Sequence, residues 1–470
     1  MADFDLAVIG AGASGLAVAS VAARLGLSVA LIERGRMGGD CLNFGCVPSK
    51  ALLAAAHAAQ SARRAGRYGV HLPEPEIDWQ AVRAHVRGAI AAIAPTDSEE
   101  RYRRLGATVL RDSARFVAPD ALAVGGRRIT ARRIVVAAGS HAAVPDIPGL
   151  ADVRFLTNET LFDLPEQPGH LLILGGGPVG LEMAQAHAGL GCRVTVVQSG
   201  SIAAKEDPEL VAPLRDILVG QGVAMIEHAD VVAVQPGPAL VLRDGRRIAG
   251  THLLVATGRR PSLADLGLDA GEVRVTPRGI ATDRGLRSPT NRRVYAVGDI
   301  ADPAGVGPRA FTHAGSYHAG IVIRRALFRL PARVDYPALP RVTYTDPELA
   351  QVGLTEAEAR EQSHAVTALR WPLAENDRAI AEAETAGLVK LVVARGRVLG
   401  AGILAPHAGE MIGAWSLAIG RRISLSRLAG MIVPYPTRAE AGKRAAGEFY
   451  AARLFAGRTR RLVRALMWLP

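Results

Sequence analysis

The sequence predicts an α/β protein made of two Rossmann-like domains followed by a smaller α+β domain. Three observations predict it. Residues 4–25 read as an apolar strand, a glycine-rich turn and a helix; the same pattern returns from Leu171; and near Tyr336 the texture changes to Pro-rich turns with mixed strand and helix signals. At 470 residues the chain exceeds one compact core, and 49% hydrophobic with 21% charged residues is an ordinary globular composition.

Phe4 to Ile9 is an apolar run that ends in Gly10-Ala-Gly12-Ala13-Ser14-Gly15 and continues into an Ala/Leu/Val-rich helical stretch to Leu25. Ser28 to Ile32 forms the next strand and ends at Glu33. This strand-turn-helix-strand order is what a dinucleotide fingerprint needs: Gly10 for the tight turn, Gly12 for close approach of a pyrophosphate, Gly15 for helix-strand packing, and Glu33 to accept from a ribose 2′-hydroxyl. The second copy runs from strand Leu171–Leu174 through Gly175, Gly177, Pro178, Val179 and Gly180 into a helix reaching Leu190, then strand Arg193–Val197. One GxGxxG is a weak signal; two in the right setting predict two bound nucleotides.

Short strands stand between and after these copies: Ile134 to Ala138 before Gly139, and Leu253 to Thr257 before Gly258. Val144-Pro-Asp-Ile-Pro-Gly149 reads as a turn-rich crossover. Arg293 to Val297 leads into Gly298-Asp299, which puts Asp299 at the carboxyl end of a strand, where ligands of such sheets bind. In the last domain Leu388–Val393 is strand-like, and Glu410–Ile419 and Arg438–Tyr450 are helical.

The formal charge of +12 comes from four lysines, Lys50, Lys205, Lys390 and Lys443, and from arginines scattered over most of the length. With no basic patch interleaved with aromatics, a nucleic-acid binder is excluded. The N-terminal residues carry no signal-peptide pattern and no apolar run reaches the ~18 residues of a membrane span, so a cytoplasmic protein is expected. Beyond Tyr450, Arg453, Arg458, Arg460, Arg461 and Arg464 interleave with Leu454, Phe455, Leu462, Val463, Leu466 and Trp468. Such a basic amphipathic pattern fits peripheral contact with a membrane surface, a subunit contact or a loose tail.

Three cysteines rule out a disulfide-stapled secreted scaffold. Two of them stand in Cys41-Leu-Asn-Phe-Gly-Cys46-Val-Pro-Ser-Lys50, within ten residues of Glu33 and so near whatever the first glycine turn binds. Zinc would need about four Cys or His ligands. The third cysteine, Cys192, sits beside an apolar strand and is expected to be buried, so redox chemistry is the reading retained and no resident metal is expected.

The stretch Gly38-Gly39-Asp40 to Lys50 resembles the active-site segment of the pyridine nucleotide-disulfide oxidoreductases, the group that contains dihydrolipoamide dehydrogenase, glutathione reductase and mercuric reductase. The resemblance spans nearly the whole chain in family order: Gly10 to Gly15, Glu33, Cys41 to Lys50, Ala138-Gly139, Gly175 to Glu182, Ala256-Thr257-Gly258, Gly298-Asp299, and Pro436-Thr437 with Glu440. It implies an FAD-binding domain over 1–149 and 270–335, an NAD(P)-binding domain over 150–269, a dimerisation domain over 336–450, and a basic tail over 451–470. FAD is then held by the first turn with Glu33, Gly39, Asp40, Ala138, Gly139, Ser140, Gly298 and Asp299. NAD(P)H is held by the second turn with Glu182, Gln198, Thr257 and Gly258.

By the same resemblance, electrons pass from NAD(P)H through FAD to a Cys41–Cys46 disulfide. Cys46 then stays as the thiolate against the flavin and Cys41 attacks the substrate, disulfide, quinone-like or metal ion. Lys50 is similar to the family lysine beside the flavin, with Glu182 as its partner. Phe311, Thr312 and His313 fall where relatives place a helix N-terminus against the flavin, although capping or packing explains His313 equally well.

The chain departs from the family near Tyr435. Many relatives carry His-x-His-Pro-Thr there, a histidine supplied by the partner subunit of a homodimer and oriented by a glutamate. Here the glutamate, Glu440, is kept and Tyr435 replaces the histidine. A phenol with pKa near ~10 is a poor base at neutral pH, which predicts weak dithiol-disulfide turnover. Tyrosine at this place resembles mercuric reductase, as Glu375–Ile380 does more loosely, but residues 465–470 contain no cysteine pair of the kind that enzyme uses to deliver its metal. Gln198 lies eighteen residues after Gly180, as Glu33 does after Gly15, so it takes the place of the ribose-binding acid. That leaves both nicotinamides open and leans to NADPH. The competing reading is a low-turnover redox sensor or membrane-associated binding protein on the same fold.

Overall fold

The computed structural model describes residues 2–362 and 365–469, the side chains of 452 and 453 excepted, so the Arg453 side chain and Pro470 of the basic stretch lie outside the described residues. The chain divides into two compact units, one of residues 1–55, 76–175 and 231–336, the other of 56–75, 176–230 and 337–470.

The first unit is organised by a parallel sheet. Strand Phe4–Ile9 pairs on one side with Val29–Ile32, which pairs with Ala107–Leu110, and on the other side with Arg127–Val136, which in turn pairs with Val294–Ala296. Leu6, Ala7, Val8, Leu31, Ile134 and Val135 are fully buried, which is why these strands read as continuous apolar runs rather than alternating ones. The order reverses between Phe4–Ile9 and Arg127–Val136, and the crevice at their carboxyl ends is where such sheets bind ligands. Gly12 caps helix Ala13–Arg24 there.

Arg127–Val136 is longer than the expected Ile134–Ala138, because its first half forms an antiparallel ribbon with Ala121–Val124 and Ala114–Ala118. The same unit holds the parallel pair His170–Leu174 and His252–Val255, and a two-stranded ribbon of Ser140–Ala142 against Arg259–Pro261.

In the second unit, Arg193–Val197 pairs in parallel with Val223–Ile226, flanked in sequence by helices Pro178–Gly189 and Pro208–Gly220. A five-stranded antiparallel sheet follows, in the order Arg341–Thr343, Glu348–Gly353, Arg397–Ala405, Leu388–Ala394, Val366–Pro372. Its core joins Leu391, Val393 and Ile403 to Ile412 and Trp415 of helix Ala408–Gly420 and to Ala441 and Ala445 of helix Ala439–Leu454. Cys192 is buried, as expected from its place beside a strand.

Candidate active site

The cysteine segment is fastened directly to the first glycine turn. Gly38 and Gly39 both have positive φ, and a Cβ on Gly39 would lie 2.7 Å from Gly12 Cα, so only glycine permits this approach. Gly38 N–H donates to Ala11 O at 2.9 Å. A short helix, Gly39–Asn43, carries Cys41, and Cys46 opens the long helix Cys46–Arg64.

Both thiols are free, Cys41 half-buried and Cys46 exposed. Cys46 Sγ lies 3.3 Å from Thr312 Oγ1, and Thr312 itself opens helix Thr312–Val322, so two helix N-termini meet at this sulfur. The positive end of a helix favours an anion. Cys46 is pulled down to about 6, first by a hydrogen bond from the Cys41 thiol and then by Thr312 and the Lys50 ammonium, against the opposing effect of burial. Cys41 is pushed up, chiefly because its proton is held in that same hydrogen bond. The pair therefore shares one proton, with the negative charge on Cys46. Lys50 stands one turn along the same helix and donates to Ser49 Oγ at 3.3 Å.

The nucleotide cradles are built alike. A Cβ on Gly10 would lie 2.4 Å from Ala137 O, and one on Gly175 would lie 2.4 Å from Ala256 O, each under the carbonyl that ends a neighbouring strand. Glu33 Oε2 accepts from Ala11 N–H at 2.6 Å and Oε1 from Gly35 N–H at 2.6 Å. Gln198 Oε1 accepts from Gly176 N–H at 2.8 Å, the corresponding bond in the second copy. Where a Cβ would stand on Gly12, the nearest atom is 3.9 Å away, and on Gly139 nothing lies within 4 Å, so backbone is open to a pyrophosphate.

Around the first cradle, Gly298 and Gly315 both close on Ser14 Oγ, which packs the Gly298-Asp299 turn and helix Thr312–Val322 against the turn of Gly12, Ala13 and Gly15. Asp299 is pushed up by burial while its Oδ2 accepts from Ser140 Oγ at 2.5 Å. Phe311 and His313 stack with ring centroids 5.2 Å apart. These residues, with Ala138 at the end of the strand, fit a flavin dinucleotide.

Several residues that complete this cluster were not foreseen. Arg259 bonds Ser140 Oγ at 2.7 Å and lies 3.2 Å from Asp40 and 3.8 Å from Asp299. Asn158 donates to Asp40 Oδ1 at 2.9 Å and to Phe44 O at 3.2 Å. Buried His318 accepts from Gly298 N–H through Nδ1 at 3.1 Å, so its other nitrogen carries the proton and donates to Tyr336 OH at 2.7 Å. Arg259 had a readable signal, since it directly follows the Thr257-Gly258 motif; the other two had none.

In the second unit, Gly177 caps the helix that Pro178 and Val179 begin, and Gly180 and Glu182 are buried in it. Glu182 Oε1 accepts from Tyr344 N–H at 3.0 Å. Beside Gln198, Ser201 Oγ lies 3.4 Å from His228 Nε2. Thr257, in the first unit, donates to Ala143 O at 2.7 Å, next to Gly258. Tyr435 is exposed and its hydroxyl donates to Asp377 Oδ2 at 3.0 Å. That bond holds the phenol above its ordinary range. Glu440 stands in the first turn of helix Ala439–Leu454.

Residues 4–320 match the family described as pyridine nucleotide-disulphide oxidoreductase, and residues 339–446 match the dimerisation domain of that family. The chain is 38% identical over 464 residues to a mercuric reductase of Streptomyces lividans, covering 95% of this chain and 96% of that protein. It is 32% identical to a dihydrolipoyl dehydrogenase of Geobacillus stearothermophilus, covering 93% and 94%. The HOCl-induced flavoprotein disulfide reductase RclA of Escherichia coli superposes with a TM-score of 0.84 at 26% identity, over 94% of this chain and 99% of that one. RclA is also solved as a Cu(II) complex, with a TM-score of 0.84 over 93% and 98%.

Proposed function

This chain belongs to the pyridine nucleotide-disulphide oxidoreductases, FAD-dependent enzymes that oxidise NAD(P)H, and from that premise we propose that its Cys41–Cys46 pair delivers electrons to a soft, thiol-seeking metal ion. FAD, when bound, carries the reducing equivalents between nicotinamide and cysteines. The chain's own residues do the rest.

The observation that carries the reading is Tyr435, whose hydroxyl is a donor to Asp377 and is held above its ordinary pKa. Reducing a disulfide requires a proton for the departing thiolate and a base for the attacking thiol. A phenol so engaged supplies no base at neutral pH. A metal ion needs no such base, because a thiolate binds it directly and the bound cation acidifies the second thiol so that its proton passes to water. The balance is NAD(P)H plus one divalent ion giving NAD(P)+, a proton and the two-electron-reduced metal, or two ions each reduced once. Cys46, already a thiolate near neutrality, is the first ligand, and Cys41 joins it as its proton leaves. Relatives named for mercury, and RclA with Cu(II), support this class of acceptor.

The roles assigned to individual residues follow from the cradles. Gly10, Gly12, Gly15, Glu33, Asp40, Gly139, Ser140 and Asp299 hold FAD in a domain of residues 1–149 and 270–335. Gly175, Gly177, Gly180, Gln198, Thr257 and Gly258 hold the nicotinamide dinucleotide in 150–269. Residues 336–450 form the dimer contact, through which the partner subunit's copy of Tyr435 and Glu440 completes the site. NADPH is the reductant, because Gln198 presents no carboxylate to a 2′-phosphate and Ser201, Lys205 and His228 cluster after it. Three cysteines in 470 residues support a reading in which the protein works in the reducing cytoplasm.

The test is NADPH oxidation by the purified holoenzyme with Hg(II), Cu(II), a quinone, glutathione disulfide and lipoamide in parallel. Metal ions should turn over at least about a hundredfold faster than disulfides, a difference the size of one lost general base. Equal or faster disulfide reduction would overturn the reading. Gln198→Glu should shift the preference toward NADH.

A further inference from the structure

The last helix, Gly457–Leu466, lies beyond residue 446, where the match to the family's dimerisation domain stops. It is two-sided: Leu462, Val463 and Leu466 share one face, and Arg460, Arg461 and Arg464 share the opposite one. None of its residues is buried. Leu462 is 58% exposed, and beyond the helix Met467, Trp468 and Leu469 are more exposed still, Trp468 to 90%. Residues 457–469 contain four arginines and no acidic side chain.

We propose that this helix docks the enzyme on an anionic lipid surface. Its apolar face enters the boundary between headgroups and acyl chains, the arginines reach lipid phosphates from its flanks, and Trp468 sits at headgroup level. The charge decides the occupant. A second copy packed on the apolar face would leave Arg460, Arg461 and Arg464 pointing away from the contact, with no acid in the segment to pair with them. An anionic bilayer presents the opposite charge over a wide area and an apolar layer beneath it. Among the described residues no helix is long and apolar enough to cross a membrane, so the contact is peripheral. It concerns where the enzyme works and does not depend on which acceptor the cysteines reduce.

The experiment is flotation of the full-length holoenzyme with phosphatidylcholine vesicles, with and without phosphatidylglycerol, beside a chain cut after Ala456 and the single variants Arg460→Gln and Arg464→Gln. The expected result is flotation only with phosphatidylglycerol, weakened by high salt, lost on truncation, and reduced about fivefold by each arginine removed. Trp468 emission should shift to the blue on the same vesicles. NADPH oxidation with a soluble acceptor should be unchanged by truncation. Absence of flotation, equal flotation on phosphatidylcholine alone, or a dimer that dissociates on truncation would each overturn the proposal, the last by assigning the helix to subunit contact.

Discussion

At the scale of single residues, the site depends on where protons sit. Thr312 donates toward a sulfur that is pulled to about 6, so removing that hydroxyl in Thr312→Val should raise the Cys46 midpoint. A hydrogen bond to a charged acceptor is worth enough to move it by about one pH unit. Thiolate absorbance followed against pH in the reduced protein measures this, and an unmoved midpoint would mean that Cys41, Lys50 and the helix terminus act without Thr312. His318 provides a second test. Burial alone holds it down to about 4, so it stays neutral in the folded chain while an exposed histidine titrates near ~6.5. The stability this contributes is present above pH ~6.5 and is lost as pH falls toward about 4, by on the order of 3 kcal/mol. His318→Asn should flatten the acid limb of a thermal-unfolding profile between those values, although it costs stability at pH 7 through the lost bond to Gly298. Cys41, Cys46, Glu33 and Asp299 were legible because each follows a strand or a glycine turn at a motif spacing. Asn158 and His318 were hidden because their partners lie 18 to 118 residues away and are met only through tertiary pairing.

At the scale of elements, the antiparallel sheet of the second unit is joined to helix Pro208–Gly220 by charge. Lys390, buried in strand Leu388–Ala394, lies 2.7 Å from Asp207 and 2.8 Å from both Glu209 and Glu356. Arg370 on the neighbouring strand also reaches Glu209 and Glu356. Glu356 is held down to about 2, first by Lys390 and then by Arg360. Lys390→Met would leave the Asp207 carboxylate buried with no cation on it, and should destabilise the chain by about 3–5 kcal/mol, read from a denaturant midpoint. Lys390→Arg should cost much less. The same sheet explains what was readable. Leu388–Val393 was anticipated as an apolar run, yet its lysine gave no sign of a burial that rests on three acids from elsewhere in the chain. Helices Cys46–Arg64 and Trp79–Ile93 were not anticipated in full, although Val82, Val86, Ile90 and Ile93 recur at helical spacing in the second.

At the scale of the whole molecule, part of the positive charge goes into ion pairs such as Arg215 with Glu227, Arg341 with Glu206 and Arg438 with Glu382 and Glu384, which fits the scattered arginines of the sequence. On the proposed reading, Tyr435 of the dimerisation domain stands where disulfide reduction needs a base, and that role can be tested across subunits. Tyr435→His would restore a base near neutrality, but in trans only if the partner subunit completes each site. Subunits carrying both Cys46→Ser and Tyr435→His have no working cysteine pair, and wild-type subunits have no base. When the two are mixed and allowed to exchange, a mixed dimer places the intact cysteines of one subunit beside the substituted residue of the other. Disulfide reduction should then appear in the mixture and in neither parent, at about a quarter of the rate of a Tyr435→His homodimer, because half the dimers are mixed and each has one competent site. A mixture no more active than wild type would mean that each site is completed within its own chain, or that the residue at 435 does not reach the thiols.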